Sequence, residues 1–201
     1  MSKEQIHPLR TVLWRRLDVD GMDACSFGQC EDGYEISGSA LYLDGKRAIK
    51  LDYRVSCNSD WSTRAAWVSR WVGSERKGLS ISRDTAVTWT VDGVELEEAA
   101  GLLDVDLGFT PATNTNAIKR LSLGVGDEAE TTAVCLDTDD WCFKPLTQIY
   151  RRLSETEFAY CSPSHDYSAT LIVDDFGIVR EYPELWMAVS KPSRIDRDER
   201  V

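Results

Sequence analysis

Two aspartates and a run of hydroxyl and amide side chains stand close together near the middle of the chain. Asp104 and Asp106 alternate with apolar residues, and the polar run at residues 110–116 (Thr-Pro-Ala-Thr-Asn-Thr-Asn) follows shortly after. Residues two apart on a strand are separated by roughly 7 Å, which leaves room for a water between two carboxylates, as in an inverting glycosidase. Any Asp-x-Asp strand supplies the same spacing, so the pair fits either acid–base chemistry or an architectural role.

Cations near the aspartates support the architectural alternative. Lys119 and Arg120 follow the polar run, and Arg64 lies on an earlier predicted strand. If residues 118–123 form a strand, hairpin pairing would bring these cations to the aspartates. Ion pairs of this kind are more often structural than catalytic.

The polar run itself is open to two interpretations. Side chains such as Thr113, Asn114 and Thr115 can hydrogen-bond to their own backbone and so stabilise a turn. The same groups can instead bind the hydroxyls of a sugar. Both alternatives stay open at the level of sequence.

A second cluster, at residues 60–71, contains three tryptophans. If this segment is a strand throughout, Trp61, Trp67 and Trp71 share one face, and Arg64 and Arg70 share the other. Three indoles on one face predict either part of an apolar core or an aromatic wall for a lipid tail or a sugar ring.

Hairpin signals define the elements that must position these residues. Asp-Gly pairs occur at residues 20–21, 32–33, 44–45 and 92–93, and Asp-Gly between alternating apolar residues is a strong hairpin signal. Strands are predicted at residues 11–17, 37–43, 47–57, 64–72, 79–83, 87–91, 102–107, 118–123, 131–136, 143–152, 157–161, 169–173 and 178–182. Short helical turns are predicted within residues 95–100 and 182–189.

A dozen short strands joined by turns predict a mainly β fold. We expect one large curved antiparallel sheet forming a barrel or half-barrel, as in lipid carriers, with few short helices. A two-sheet sandwich is the alternative. With 201 residues the chain is long enough for one sizeable core, so residues 1–189 are predicted as a single domain. Residues 190–201 are charged and predicted as a C-terminal tail.

The charge and hydropathy of the chain limit its partners and location. The formal net charge is −11, which disfavours nucleic acid and anionic membrane surfaces as general partners. No window reaches the roughly 18 apolar residues of a membrane helix, and the first residues do not resemble a secretory signal. These features predict a cytoplasmic protein without stable membrane insertion.

The residues that commonly hold cofactors or act as nucleophiles are sparse. The six cysteines form no Cys-x-x-Cys motif, and the two histidines, His7 and His165, lie in polar segments, so no metal site is predicted. Nucleophile-elbow and phosphate-cradling motifs are missing from the sequence. We therefore predict no cofactor and no catalytic residues.

Residues 103–121 also carry a family resemblance. The stretches Leu-Asp-Val-Asp-Leu at 103–107, Thr-Pro at 110–111, Thr-Asn-Thr at 113–115 and Arg-Leu at 120–121 resemble the signature of the "putative glycolipid-binding" family of small bacterial proteins. Supporting matches are residues 53–55, Trp61, Arg64, residues 148–150, 173–174, 177–179 and 182–183. The resemblance implies a curved antiparallel sheet with a barrel-like body, similar to bacterial lipoprotein and lipid carriers, and a glycolipid as ligand.

The predicted function is therefore the non-enzymatic binding of a glycolipid or another amphiphile in or beside a β-barrel-like body. The predicted ligand-binding residues are Asp104, Asp106, Thr113, Asn114, Thr115, Arg120, Trp61, Arg64 and Tyr150. Two alternatives stay open: a hydrolase of glycans or glycolipids that uses Asp104 and Asp106, and an interaction protein without a small ligand. The sequence does not give the oligomeric state.

Overall fold

Fifteen β-strands dominate the computed structural model, which describes residues 6–189. In chain order they are β1 (His7–Arg16), β2 (Gly21–Cys30), β3 (Gly33–Asp44), β4 (Arg47–Cys57), β5 (Thr63–Val72), β6 (Glu75–Arg83), β7 (Trp89–Val91), β8 (Val94–Glu95), β9 (Asp104–Leu107), β10 (Glu128–Leu136), β11 (Phe143–Arg152), β12 (Glu157–Ser162), β13 (Tyr167–Val173), β14 (Val179–Tyr182) and β15 (Trp186–Ala188). One α-helix, α1 (Asn114–Leu121), and 3₁₀ turns at Glu97–Ala99, Pro111–Thr113 and Pro163–His165 complete the described elements. The charged tail predicted at residues 190–201 lies outside the described residues.

All fifteen strands belong to one sheet, so the sandwich alternative does not apply. The first strand, β1, pairs with the last, β15, and the remaining strands extend outward from this seam in two arms. The first arm runs from β1 to β8 in chain order, and the second runs from β15 back to β9. Pairing is antiparallel except between β9 and β10. The fold is mainly β, as predicted.

The sheet is not closed, because its edge strands β8 and β9 do not pair with each other. Instead the segment around β9 approaches the beginning of β5, where the backbone N–H of Thr63 donates to the carbonyl of Leu103 at 2.8 Å. The Thr63 hydroxyl also accepts from the backbone N–H of Val105 at 3.1 Å. These contacts cover part of one edge, and the other edge strand has only two residues, so little unpaired backbone is presented for aggregation.

Alternation and turn chemistry explain the strands of the first arm. On β4 the inward residues Ile49, Leu51, Tyr53, Val55 and Cys57 are all at most 2% exposed. The β3–β4 turn contains Gly45 at φ 61°, a left-handed conformation that glycine adopts without steric cost. All four Asp-Gly pairs lie at or beside a strand-to-strand turn, as predicted.

Two core clusters fill the space enclosed by the sheet. The larger contains the fully buried Trp14, Trp89, Phe27 and Phe109 and draws on both arms. The smaller packs α1 against the inner faces of β11–β14. Large aromatic side chains therefore occupy much of the interior that a lipid carrier would leave open.

The main error of the sequence prediction concerns residues 118–123, which form no strand: residues 118–121 are the last turn of α1, and residues 122–123 follow it. Thr110 caps the preceding 3₁₀ turn by accepting from the backbone N–H of Ala112, and Pro111 occupies the first position of that turn. Ser122 ends the helix in a left-handed conformation. Thr-Pro followed by an apolar face is a helix-start signal. Because the apolar run here is short, it also fits a strand, and the helix start is missed from the sequence.

Two further segments differ from the prediction. Residues 21–30 form β2, although their small and polar side chains give a weak strand pattern; pairing with β1 and β3 on both sides stabilises them. Residues 182–189 do not form a helical turn, because a turn ending near Glu184 (φ 66°) lets β15 pair with β1. The helical turn predicted within residues 95–100 is confirmed as a 3₁₀ turn.

The longest helix in the described part of the chain has eight residues. None of the helices there has the length and apolarity needed to cross a bilayer.

Candidate functional site

The polar run lies inside the molecule, between the two arms of the sheet. We call residues 109–116 the inner segment. Thr110 donates from its hydroxyl to Asp23 Oδ2 on β2 at 2.5 Å, and Asn114 donates from Nδ2 to the Tyr150 hydroxyl on β11 at 2.9 Å. Because it hydrogen-bonds to both arms, the inner segment has a structural role as well as any role in binding.

Asp104 and Arg120 form a buried ion pair between β9 and α1. Asp104 is 1% exposed, and each of its carboxylate oxygens accepts from a different guanidinium nitrogen of Arg120. The same guanidinium donates to the Thr131 hydroxyl at 2.9 Å. Hydrogen bonding to Asp104 raises the pKa of Arg120 further, so the guanidinium stays charged. The predicted contact exists, but α1 and not a hairpin provides it.

Asp106 belongs to a separate hydrogen-bond network. Its Oδ1 accepts from the Thr113 hydroxyl at 2.8 Å, and its Oδ2 accepts from Gln148 Nε2 at 2.6 Å. Burial raises the pKa of Asp106, while these two hydrogen bonds act in the opposite direction. The Tyr150 hydroxyl donates to Gln148 Oε1 at 3.3 Å and so continues the network towards Asn114.

A cavity of about 250 Å³ adjoins this network. Asp106 and Asn114 lie on one side, beside the inner segment. Its other walls are largely aromatic, and its polar lining includes a serine and a histidine. The aromatic lining residues are Tyr160, Tyr167, Tyr182 and Trp186, and the serine and the histidine are Ser162 and His165. The cavity thus combines aromatic rings with a small number of fixed polar groups, which is typical of small-molecule sites.

The aromatic wall consists of three tyrosines packed together. The ring centroids of Tyr160, Tyr167 and Tyr182 are 5.7–6.4 Å apart. The Tyr167 hydroxyl donates to the carbonyl of Pro183 at 2.9 Å, which fixes its ring. Mutual packing restrains these rings, so the wall is preformed.

Ser162 stands at the end of β12 beside this wall. It is 2% exposed, and its hydroxyl has no hydrogen-bond partner among residues 6–189. A buried hydroxyl without a partner is costly, and here it lines a cavity large enough to hold a ligand atom. Neither Ser162 nor the tyrosines were predicted as site residues, because their clustering depends on the pairing of β12, β13 and β14.

Asp23 is the principal polar residue that the sequence did not reveal. It is fully buried on β2, and its Oδ2 accepts from the hydroxyls of Tyr53 and Thr110. Its Oδ1 has no partner within the described range. Burial raises its pKa to about 6. The missed signal is its position in the inward series Asp23, Cys25, Phe27 on β2.

The predicted tryptophan face does not exist, because β5 begins only at Thr63. Trp61 precedes the strand in a left-handed conformation (φ 70°) and stacks on Tyr34 at 4.0 Å inside the core. Trp67 and Trp71 lie on the outer face of the sheet, each 40% exposed. Because Trp67 and Trp71 on β5 face solvent, they form no common wall with Trp61.

The remaining predicted residues occupy distinct environments. Thr113 and Tyr150 support Asp106 and Asn114 from below the cavity surface. Thr115 is fully buried, and its hydroxyl has no partner in the described part of the chain. Arg64 lies half-buried at the start of β5 and does not line the cavity.

The acid–base arrangement suggested by Asp104 and Asp106 has an unfavourable geometry. Both Asp104 oxygens are bound by a permanently charged guanidinium, so this carboxylate is poorly suited to donate or accept a proton. Only Asp106 reaches the cavity.

A metal centre is equally unsupported over residues 6–189, where no three His, Cys, Asp or Glu side chains converge to hold an ion. His165 lines the cavity as an exposed residue. His7 lies at the start of β1, also exposed.

The sequence and the fold correspond to a known class of protein. The sequence profile of the family described as "Putative glycolipid-binding" matches residues 11–188. The chain therefore belongs to this family, and the membership predicted from residues 103–121 and their supporting matches is confirmed. No curated protein matches the sequence significantly.

Two solved structures are similar to the chain. A crystal structure of a DUF1089 family protein from Pseudomonas aeruginosa matches with a TM-score of 0.74 and 28% identity, over 83% of this chain and 91% of that one. A beta-barrel-like protein of the DUF1849 domain of unknown function from Brucella abortus matches with a TM-score of 0.54 and 12% identity, over 92% and 96% of the two chains. At 12% identity the second comparison concerns the fold alone.

Proposed function

We propose that this protein binds the sugar head of a glycolipid in the cavity beside Asp106 without catalysing a reaction. The observation that carries the proposal is the buried, unpartnered hydroxyl of Ser162 in a cavity walled by tyrosines. A sugar supplies hydroxyls that pair with such a group and C–H faces that pack on aromatic rings. The glycolipid-binding description of the family supports the same ligand class.

Each group of the site has a defined task in this proposal. Asp106 accepts hydrogen bonds from sugar hydroxyls, and Asn114 offers its amide. Thr113 and Tyr150 position these two side chains, while Thr115 and the Asp104–Arg120 pair stabilise the inner segment behind them. Trp61 and Arg64 lie outside the cavity and have no direct contact with the ligand in this arrangement.

The size of the cavity restricts what enters it. About 250 Å³ is below the roughly 300–1,000 Å³ of pockets that enclose drug-sized ligands. The cavity therefore accommodates about one sugar ring, and the core aromatics leave the acyl chain outside. The apolar part of the ligand would remain on the protein surface or in a membrane.

Ser162→Ala tests the proposal directly. Titration of wild-type protein with short-chain octyl glycosides, below their micelle concentrations, should give saturable heats in calorimetry. Loss of one hydrogen bond of about 1 kcal/mol predicts about fivefold weaker binding in the variant. Ser164→Ala is the matched control, because Ser164 lies two residues away, is exposed and does not line the cavity.

Two results would contradict sugar binding. One is equal affinity of the Ser162→Ala and wild-type proteins for every glycoside that binds. The other is the absence of both glycoside heats and any lipid in mass spectra of organic extracts from freshly purified protein.

A further inference from the structure

A second group of cavities lies where the β1–β2, β3–β4 and β10–β11 turns meet; we call this region the turn end. The larger cavity has a volume of about 430 Å³, and it is lined by three arginines, Arg16, Arg47 and Arg70, together with Tyr42 and Trp141. It shares no lining residue with the cavity beside Asp106. In a chain of net charge −11, three arginines converge here, and two aspartates, Asp44 and Asp139, also line the cavity.

The three arginines differ in how they are paired. Arg16 forms a two-point ion pair with Asp18, and Arg47 pairs with Asp44 at 2.8 Å. Arg70 forms neither an ion pair nor a hydrogen bond with any of residues 6–189, and its Nε is buried without a partner. Asp139 also lines the cavity, but it is not ion-paired with Arg70. A partly buried guanidinium without a counter-ion is costly, and a bound anion would remove that cost.

Trp141 fixes the orientation of this guanidinium. The guanidinium carbon of Arg70 lies 4.4 Å from the ring centroid of Trp141, and Trp141 in turn stacks on Phe109 at 6.3 Å. Stacking leaves the edge of the guanidinium free to donate two parallel hydrogen bonds to an oxyanion. Trp141 adopts a left-handed backbone conformation (φ 59°), which is costly for a bulky residue and typical of functional positions.

An apolar slot adjoins the same pair of side chains. This second cavity, of about 210 Å³, is lined by Val68, Gly78, Leu79 and Trp141, together with the charged residues Arg70, Lys77 and Asp140. Arg70 and Trp141 therefore lie between the cavity of the three arginines and this more apolar one. A ligand that fills both must carry an anionic group next to a hydrocarbon part.

We propose that the turn end binds an anionic amphiphile, with its phosphate, sulfate or carboxylate on Arg70 and its apolar part along Trp141, Val68 and Leu79. Arg16 and Arg47 keep their own carboxylate partners, so Arg70 supplies the charge that binds the anion. This site is independent of the sugar cavity. Its ligand class differs from a neutral glycoside, and the two sites are tested by different variants.

Calorimetry with four probes tests the site. Decyl phosphate, below its micelle concentration, is expected to bind the wild-type protein with an affinity that falls as salt is added. Inorganic phosphate represents the anion alone, and decyl maltoside represents the apolar chain with a neutral head; both should bind at least tenfold more weakly. Decyl sulfate should bind like decyl phosphate, because the guanidinium of Arg70 can donate hydrogen bonds to either oxyanion.

Arg70→Gln is the decisive variant, and Arg54→Gln is its control. Arg54 is exposed on the neighbouring strand β4 and lines neither cavity of the turn end. Arg70→Gln should weaken decyl phosphate binding at least tenfold with only a small decrease in melting temperature, since Arg70 loses its contact with the Trp141 ring but no ion pair or hydrogen bond within residues 6–189. Arg54→Gln should bind like the wild type. Ser162→Ala should also retain full affinity for decyl phosphate.

Several results would overturn the proposal. Unchanged affinity of Arg70→Gln for decyl phosphate would show that Arg70 is not part of the site. If decyl maltoside bound as tightly as decyl phosphate, the anionic group would not be recognised. If inorganic phosphate bound as tightly, the apolar chain would not be recognised. If Arg70→Gln does not fold, the indole N–H resonance of Trp141 in the wild type replaces it, assigned from the spectrum of Trp141→Phe. The absence of a shift in that resonance on adding decyl phosphate would then refute the site.

Discussion

At the scale of single residues, buried carboxylates show how much the surroundings determine the role of a side chain. Asp104 is neutralised by Arg120, Asp106 is held by neutral donors at the edge of a cavity, and Asp23 is fully buried with two hydroxyl donors. All three are aspartates on strands. Their different partners make Asp104 part of an ion pair, Asp106 a candidate ligand-binding group and Asp23 a core residue whose protonation changes with pH.

Asp23 is expected to make the free energy of unfolding depend on pH. Its pKa in the folded protein is about 6, against about 3.9 in an unfolded chain. The folded state therefore binds a proton at Asp23 more tightly than the unfolded state does. The contribution of Asp23 to the free energy of unfolding is largest below about pH 4. It falls as the pH rises to about 6, by up to about 3 kcal/mol, and changes no further above that.

Urea denaturation of Asp23→Asn between pH 4 and pH 8 measures this effect. The stability of the variant relative to the wild type should rise across pH 4–6 and then stay level. Asp52→Asn is the control: hydrogen bonds from Lys50 and Ser39 lower the pKa of Asp52, so its contribution is already complete above about pH 4. A relative stability of Asp23→Asn that does not vary with pH would refute the assignment.

At the scale of elements, a close fit between strands β3 and β4 holds Tyr53 against Asp23. Gly38 on β3 lies opposite Tyr53 on β4. A Cβ at position 38 would lie 2.5 Å from the Tyr53 hydroxyl oxygen and 2.7 Å from the carbonyl oxygen of Ala24. The absence of a side chain at Gly38 therefore makes room for the hydrogen bond to Asp23.

Gly38→Ala should consequently displace the Tyr53 ring and weaken its hydrogen bond. Overpacking and the lost hydrogen bond together predict a loss of about 2–4 kcal/mol in the free energy of unfolding. Gly78→Ala on β6 is a suitable comparison, because a Cβ there meets no atom within 4 Å, and its stability should equal or exceed that of the wild type. Similar stabilities of the two variants would show that β3 and β4 adjust without strain.

Helix α1 illustrates how an element can be misjudged when its surroundings are unknown. Its first five residues are buried, including Asn114, Thr115 and Asn116, whereas polar residues in a short segment usually indicate an exposed turn. The hydroxyls of Tyr150 and Thr63 on neighbouring strands accept hydrogen bonds from the Asn114 and Asn116 side-chain amides, in place of water.

At the scale of the whole molecule, the inner segment is expected to make the two arms unfold together. The β1–β15 seam consists of only three paired positions, so the arms depend on residues 109–116 for much of their contact. We expect residues 6–189 to unfold in one transition, consistent with the predicted single domain of residues 1–189.

Native-state hydrogen exchange can measure this cooperativity. Slowly exchanging amides in the middle of β4 and of β11, one from each arm, should report the same free energy of opening to within about 1 kcal/mol. Opening of β11 at a much lower free energy than β4 would show that the arms are separate cooperative units.

The sequence alone determined the features that arise from neighbours along the chain. Period-two alternation identified most strands, and Asp-Gly pairs located the hairpin turns, because strand and turn preferences act over a few residues. The signature at residues 103–121 identified the family. The Asp104–Arg120 contact was also foreseen, although through the wrong element.

Only the tertiary structure decided which polar groups meet. Asp23 and Thr110 are 87 positions apart, and Arg70 reaches Trp141 from the opposite arm of the sheet. Such contacts depend on how the sheet curves and on which strand forms its seam, and no local pattern encodes either. The same curvature buries the polar run and leaves the Ser162 hydroxyl and Arg70 Nε among the buried polar atoms without a hydrogen-bond partner in residues 6–189.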